Sequence, residues 1–215
     1  MKIKHVIWDW NGTLLDDRKL AITAINIVLE RYDMPKITYE EYLKIFSFPV
    51  IDYYKRLGFD FDKTPFAQVG TEFIEEYTER MYDYNLHEGA RDTLNYLYEN
   101  GISQSLLSAA KQKMLDDLME HHDIEKYFYR VAGLTDHYAN SKLDAGKNLI
   151  GELQIEPSHI LFVGDTEHDT EVADEIGANC VLIAAGHAPF DKLENTGKRV
   201  FQNIIEFKNW FENNE

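Results

Sequence analysis

The sequence predicts an α/β protein: a doubly wound parallel sheet with an all-helical segment inserted after its first strand. Three observations carry this. From Gly89 onward, short apolar runs alternate with segments of helical periodicity, the pattern of βαβ units with helices on both faces of a parallel sheet. The stretch from about Asp17 to Tyr84 is helical throughout and interrupts that alternation directly after strand one. Two of the apolar runs also stop abruptly at a carboxylate, Asp9 and Asp165. The expected division is a core of residues 1–16 plus 86–215 and a cap of residues 17–85.

Each element has a local reason. His5-Val6-Ile7-Trp8 is short, β-branched and aromatic, and the Asn11-Gly12 turn signal follows it, so it reads as a buried strand. Ala21, Ala24, Ile25, Val28, Leu29 and Tyr32 recur at helical spacing, and Pro35 ends that helix. Thr38 with Glu41 forms a capping box for a short helix through Ile45. Phe48-Pro49 breaks it, and a helix over Ile51 to Leu57 is closed by Gly58. Phe66 to Tyr84 reads as one long helix whose row of Glu72, Glu75, Glu76, Glu79 and Asp83 is expected to be a solvated face.

The core elements follow in order. Ala90, Leu94, Leu97 and Tyr98 mark a helix stopped by Gly101. Ile102 to Leu107 is a strand, and Met114, Leu115 and Leu118 share a helical face. Tyr127 to Ala132 is expected as a strand, and Leu149, Ile150 and Leu153 lie on a helix that Pro157 follows. Ile160 to Val163 is a buried strand ending at Gly164-Asp165, and Val172, Ala173 and Ile176 form a helix capped by Gly177. Cys180 to Ala184 is a last strand, and Ile204, Phe207 and Phe211 mark the final helix.

Composition narrows the function classes. The 215 residues carry a formal net charge of −16, which argues against nucleic acid or an anionic membrane as partner, since phosphate contacts need Lys or Arg. A small anionic substrate stays open, because a local field or a bound metal can override net charge. The single cysteine, Cys180, allows no internal disulfide and fits a reducing compartment. No signal-like segment and no apolar run long enough to span a bilayer is present. The expectation is a cytoplasmic enzyme or small-ligand binder; the pattern says nothing of protein partners or oligomeric state.

In such a sheet, ligands bind at the carboxyl ends of the strands. Asp9 and Asp165 stand at two of those ends, and Asp169 follows Asp165 at helical spacing. Carboxylates converging there repel unless a cation lies between them, and Mg²⁺, a hard ion with oxygen ligands, suits such a set.

Asp9-Trp10-Asn11-Gly12-Thr13-Leu14 resembles the first motif of the haloacid dehalogenase superfamily, Asp-x-Asp-Gly-Thr-(Leu/Val). Ser108 at a strand end, Lys142 ahead of a helix and Gly164-Asp165-Thr166-Glu167-His168-Asp169 are similar to its second, third and fourth motifs, in order along essentially the whole chain. Leu86-His87-Glu88-Gly89 resembles the segment that returns from cap to Rossmann-like core, and the helical insertion resembles the cap of the phosphoglycolate-phosphatase-like branch.

The resemblance implies an Mg²⁺-dependent phosphatase acting on a small phosphorylated metabolite through an aspartyl phosphate. Asp9 would be the nucleophile. Asp9, the backbone carbonyl of Asn11, Asp165 and Asp169 would hold the metal. Ser108 and Lys142 would bind phosphoryl oxygens, with Lys147 as rival to Lys142, and Thr13 would steady the phosphate loop. Hinges are expected at Leu15-Asp16-Asp17 and Tyr84-Asn85-Leu86-His87, with specificity set by cap residues near Asp17 to Lys55.

The departure is Asn11, where the family's phosphatases carry an Asp as general acid and base. An amide cannot exchange a proton at ordinary pH, and losing such a group costs about 10²–10⁴ in rate. Three readings stay open. The first is a phosphatase, slow or rescued by another group such as His168, in which Asn11→Asp is expected to raise turnover. The second is a hydrolase whose leaving group needs no proton; Asp9-Trp10 is similar to the Asp-Trp-Ala-Gly-Thr form of the phosphonoacetaldehyde hydrolases, which use a cap lysine, with Lys44, Lys55 and Lys63 available here. The third is a phosphate-ester-binding regulator without turnover.

Overall fold

The protein is described from a computed structural model covering residues 2–134 and 142–214. A six-stranded sheet forms its centre, built from β1 (His5–Trp8), β2 (Ser103–Lys111), β3 (Arg130–Leu134), β4 (Ile160–Gly164), β5 (Asn179–Ile183) and β6 (Arg199–Phe201), in the spatial order β3-β2-β1-β4-β5-β6. Every neighbouring pair is parallel. From β1 the chain builds outward through β2 and β3, then returns to lay β4, β5 and β6 on the other side. The order therefore reverses beside β1, which opens a crevice at the carboxyl ends of β1 and β4.

Strand β1 explains why the sheet is covered on both faces. Its residues are all buried, so alternate side chains serve opposite layers. Val6 and Trp8 join Leu94, Leu115 and Phe207 on one face; Ile7 joins Phe162, Leu149 and Val172 on the other. The first layer brings together α5 (Ala90–Glu99), α6 (Gln112–His121) and α10 (Ile204–Asn214), the second α7 (Lys142–Leu153) and α8 (Glu167–Ile176).

Between β1 and α5 run four helices, α1 (Arg18–Arg31), α2 (Tyr39–Ile45), α3 (Val50–Leu57) and α4 (Phe66–Arg80). They share a cluster of their own around Ile25, Val28, Leu29, Tyr42, Tyr53 and Val69. The capping box at Thr38 and Glu41 forms as the sequence reads, with the Glu41 carboxylate accepting from the Thr38 amide at 2.7 Å. The two chain crossings into and out of this segment lie side by side: the Asp16 amide donates to Asn85 O at 3.0 Å, and the His87 amide to Leu14 O at 2.9 Å.

Four expectations are corrected. The acidic row on α4 is not a wholly solvated face, because Glu76 is buried between Arg31 and Arg80, and Glu72 accepts from the Tyr32 hydroxyl at 2.8 Å. These carboxylates fasten α4 to α1. The long helix stops at Arg80 and tightens into a 3₁₀ turn, Met81–Asp83. Tyr127 closes another 3₁₀ turn rather than opening a strand, and β3 starts at Arg130, where pairing with β2 begins. Strand β2 runs past Leu107 to Lys111 with an irregular register. Two further elements, α9 (Phe190–Glu194) and β6, are too short to show a period in the sequence.

One core residue is out of character. His5 on β1 is fully buried and neither ring nitrogen has a partner. Burial holds its imidazole down to about 4, so the folded chain binds this proton less readily than the unfolded one. Stability carried by neutral His5 is then lost as pH falls from about 6.5 towards 4. His5→Leu is expected to gain on the parent protein across that window, by on the order of 3 kcal/mol at its acid end. Urea midpoints measured at intervals of pH check this; a constant difference between the two proteins would mean that His5 titrates normally.

Candidate active site

Three carboxylates meet at the crevice. Asp9 directly follows β1, where its amide donates to Val163 O of β4 at 2.9 Å. Asp165 directly follows β4, and Asp169 lies one turn into α8. All three are buried, and one oxygen of each lies within 4.8 Å of the others. The local sequence produces this: β4 ends at Gly164, and the Thr166–Asp169 capping box starts α8 so that Asp169 folds back over the strand end.

Lys142, the first residue of α7, is buried among them. Its ammonium donates to Asp9 Oδ1 at 2.5 Å and to Asp169 Oδ1 at 2.6 Å. The other Asp169 oxygen accepts from the Asp165 amide at 3.1 Å, the Thr166 amide at 2.9 Å and the Thr166 hydroxyl at 2.8 Å. Asp169 is thus saturated, and these donors with Lys142 hold its carboxyl below the usual range despite burial. Asp9 differs: burial, opposed by Lys142, lifts it to about 6. Burial, with the Asp9 and Asp169 charges adding and His187 opposing, pushes Asp165 well above its ordinary value.

This donor set fits a divalent cation. Three clustered carboxylates face one lysine, which leaves negative charge uncompensated, and their oxygens are the hard donors that Mg²⁺ takes. Asp9 and Asp165 keep lone pairs for it, whereas Asp169 spends its own on Lys142, the Asp165 and Thr166 amides and the Thr166 hydroxyl.

The other residues singled out from the sequence divide. Ser108 lines the same cavity as Asp9, buried, its hydroxyl accepting from the Ala110 amide at 3.1 Å. Thr13, expected to steady the phosphate loop, lies fully buried below the carboxylates and donates to Asp165 Oδ1 at 2.9 Å; the tight Gly12 turn draws it under the site. Lys147 is exposed near Glu175 at 3.7 Å, away from the cluster. His168 pairs with Glu171 at 3.0 Å and stacks on Phe48, facing a separate side pocket. Lys55 and Lys63 pair on the surface with Asp52 and Asp60, and Lys44 is exposed.

Asn11 is the instructive case. Its amide nitrogen donates to Asp17 Oδ2 at 2.9 Å and to the Tyr77 hydroxyl at 2.8 Å. Asp17, almost fully buried, also accepts from the Gly12 amide at 2.7 Å, the Tyr77 hydroxyl at 2.8 Å and His187 Nε2 at 3.2 Å. Sequence reasoning missed His187, Tyr42 and Tyr77. His187 Nδ1 lies 2.8 Å from the Tyr42 hydroxyl, and its amide donates to Asp165 Oδ2 at 2.6 Å. Burial alone would lower the imidazole, but Asp17, with Asp165 and Asp9 beyond, lifts it to about 9, while Asp17 itself is held down. The available signal was its place in the turn after β5, two positions beyond the alanine that ends the apolar run.

Gly12 is demanded by this crowding. Its φ is +76°, and a Cβ there would strike both the Asp165 carboxylate and the His187 ring.

The expectation that Asn11→Asp raises turnover is overturned by this geometry. A carboxylate at position 11 would abut that of Asp17, two like charges in a buried setting. Asn11→Asp is expected to cost about 3 kcal/mol of stability and to lower activity, and Asn11→Asp with Asp17→Asn to recover stability. Thermal melts of the two variants decide it; an Asn11→Asp protein as stable as its parent would show that the Asp17 network gives way.

The family model for haloacid dehalogenase-like hydrolases matches residues 6–183. Among curated proteins, the chain is 26% identical to the pyrophosphatase PpaX of Oceanobacillus iheyensis, over 79% of this chain and 78% of that one. It is 24% identical to phosphoglycolate phosphatase 1 of Pseudomonas aeruginosa, over 85% and 70%. Among solved structures, the haloacid dehalogenase-like protein SP0104 of Streptococcus pneumoniae superposes with a TM-score of 0.84 at 18% identity, covering 97% of this chain and 98% of that one. With the family model spanning the strand-end carboxylates and the lysine between them, this chain belongs to the haloacid dehalogenase-like hydrolases.

Proposed function

We propose that the chain is an Mg²⁺-dependent phosphatase that hydrolyses a small phosphate monoester through an aspartyl phosphate on Asp9. The observation that carries this is the convergence of Asp9, Lys142, Asp165 and Asp169 at one end of the sheet, on the floor of a cavity of about 230 Å³. The relatives named as phosphatases support the reaction class.

An Asp9 carboxylate oxygen attacks phosphorus, the bond to the ester oxygen breaks, and the alkoxide leaves, taking its proton from solvent water. Water then attacks the acyl phosphate and gives up a proton to solvent, the bond from phosphorus to Asp9 breaks, and phosphate leaves. Asp9, Asp165 and the backbone carbonyl of Asn11 would hold Mg²⁺, which when bound neutralises charge on the phosphoryl oxygens. Lys142 and Ser108 hold the remaining phosphoryl oxygens. Asp169 positions Lys142, and Thr13 positions Asp165. Residues 17–85 act as a cap that closes over the site and excludes water, turning on the paired crossings near Leu15 and Leu86.

The Asn11 amide is committed to Asp17 and Tyr77, so residue 11 gives no proton to the leaving group. That commitment also favours a second reading, a phosphate-ester binder without turnover. The carbon–phosphorus hydrolase reading loses its support, because among the described residues the lysines lining the cavity are Lys111 and Lys142, neither from the cap.

Phosphate release from a panel of small esters, with Mg²⁺ and with EDTA, tests the proposal. Release is expected with Mg²⁺ and should vanish with EDTA. Asp9→Asn is expected to abolish it with the circular dichroism spectrum unchanged. Asp165→Asn is expected to raise the Mg²⁺ concentration for half-maximal rate about tenfold or more. No release from any ester would select the binder reading, and full activity of Asp9→Asn would remove the covalent route.

A further inference from the structure

The cavity above the carboxylates is lined on its cap side by aromatic residues. Tyr42, Phe46 and Phe48 come from α2 and the turn after it, Tyr53 and Tyr54 from α3, and Phe73 from α4. The cap contributes no Lys or Arg to the lining, and its one formal charge there is Asp17, which is negative and already saturated. From the core come Lys142, committed to Asp9 and Asp169, and Lys111, which is exposed. Among the described residues, His187, the remaining basic side chain in the lining, is fixed between Asp17 and Tyr42.

The two cap phenols in contact with the polar network are engaged, Tyr42 with His187 and Tyr77 with Asp17, so neither offers a free donor to a second anionic group.

Resting on the phosphatase reading, we infer that the esterified alcohol is uncharged and largely apolar or aromatic. The physical ground is desolvation. A second anionic group entering this wall would lose its water and find no cation on the cap, Lys111 and Lys142 both belonging to the core side of the lining, and the faces of aromatic rings carry negative charge that repels it. A ring or branched apolar group instead buries its surface and stacks edge or face against Phe46, Tyr54 and Phe73. The cap thus disfavours a carboxylate, as in phosphoglycolate, or a second phosphate, as in pyrophosphate, although relatives of this chain are named for those compounds.

The test compares esters whose alcohols have similar acidity, so that the missing proton donor weighs on all alike. Phosphate release is measured with Mg²⁺ from 2-phenylethyl phosphate, 2-(4-hydroxyphenyl)ethyl phosphate, glycerol 3-phosphate and phosphoglycolate. The two aryl-bearing esters are expected to have kcat/KM at least about tenfold above the others, the size of discrimination an apolar pocket gives. Phosphoglycolate or glycerol 3-phosphate cleaved as well as the two aryl-bearing esters would overturn the inference and leave the phosphatase reading standing.

If no ester is cleaved, the phosphatase reading falls, and binding decides the inference separately. Calorimetry with benzylphosphonate and phosphonoacetate then reads the cavity directly. Benzylphosphonate is expected to bind at least about tenfold tighter; equal or weaker binding would overturn the inference.

Discussion

Like charges crowded at the end of a sheet are the constraint around which this molecule is arranged. Asp9 and Asp165 are brought together because β1 and β4 are neighbours and both strands end in a carboxylate. Asp169 is added by the first turn of α8. Left alone, such a cluster would push its own strands apart or remain protonated. Lys142 answers part of the charge from α7, the α8 amides and Thr166 answer another, and Thr13 and the His187 amide engage Asp165. What is left over is negative charge on hard oxygens, which is the chemical reason a divalent cation suits the place.

The same constraint reaches the cap through Asp17. This carboxylate begins α1, yet it does not cap that helix with its side chain; it turns inward to accept from Asn11, Gly12, Tyr77 and His187. Asn11 and Gly12 belong to the turn after β1, Tyr77 to α4, and His187 to the turn after β5. One buried anion therefore binds the phosphate turn, the helical segment and the far side of the crevice. His187 carries the connection onward to Tyr42 on α2 and, through its amide, to Asp165. Any movement of residues 17–85 away from the sheet must break these bonds or take part of them along, so Asp17 couples the position of this helical segment to the geometry of the carboxylates.

Asn11 gains a physical meaning in this setting. Where an acid at this position serves proton transfer, its carboxyl must be free to reach the leaving group. Here the amide donates in two directions at once, to an anion and to a phenol, a role a carboxylate cannot fill. The residue that looks like a lost catalytic group is a gained structural donor.

Much of this was legible in the sequence, because much of it is local. Strand ends at Asp9 and Asp165, the α8 capping box that aims Asp169, the Thr38 capping box and the glycine stops at Gly58, Gly101 and Gly177 all follow from patterns a few residues long. Motif order along the chain identified Lys142 and Ser108. The shortest elements, α9 and β6, were not legible, since three to five residues cannot display a period. Nor was the fate of Glu76, which looks like any other glutamate in an acidic row until Arg31 and Arg80 close on it. The roles of Asn11, Asp17 and His187 belonged to tertiary structure alone. The His187–Asp17 pair joins residues 170 positions apart, and Asn11 meets Tyr77 across 66. No local pattern encodes such meetings. Sequence fixes which groups can carry charge and which backbone turns present them, because those depend on neighbours in the chain; which charge ends beside which donor depends on how the layers pack, and only the folded chain decides that.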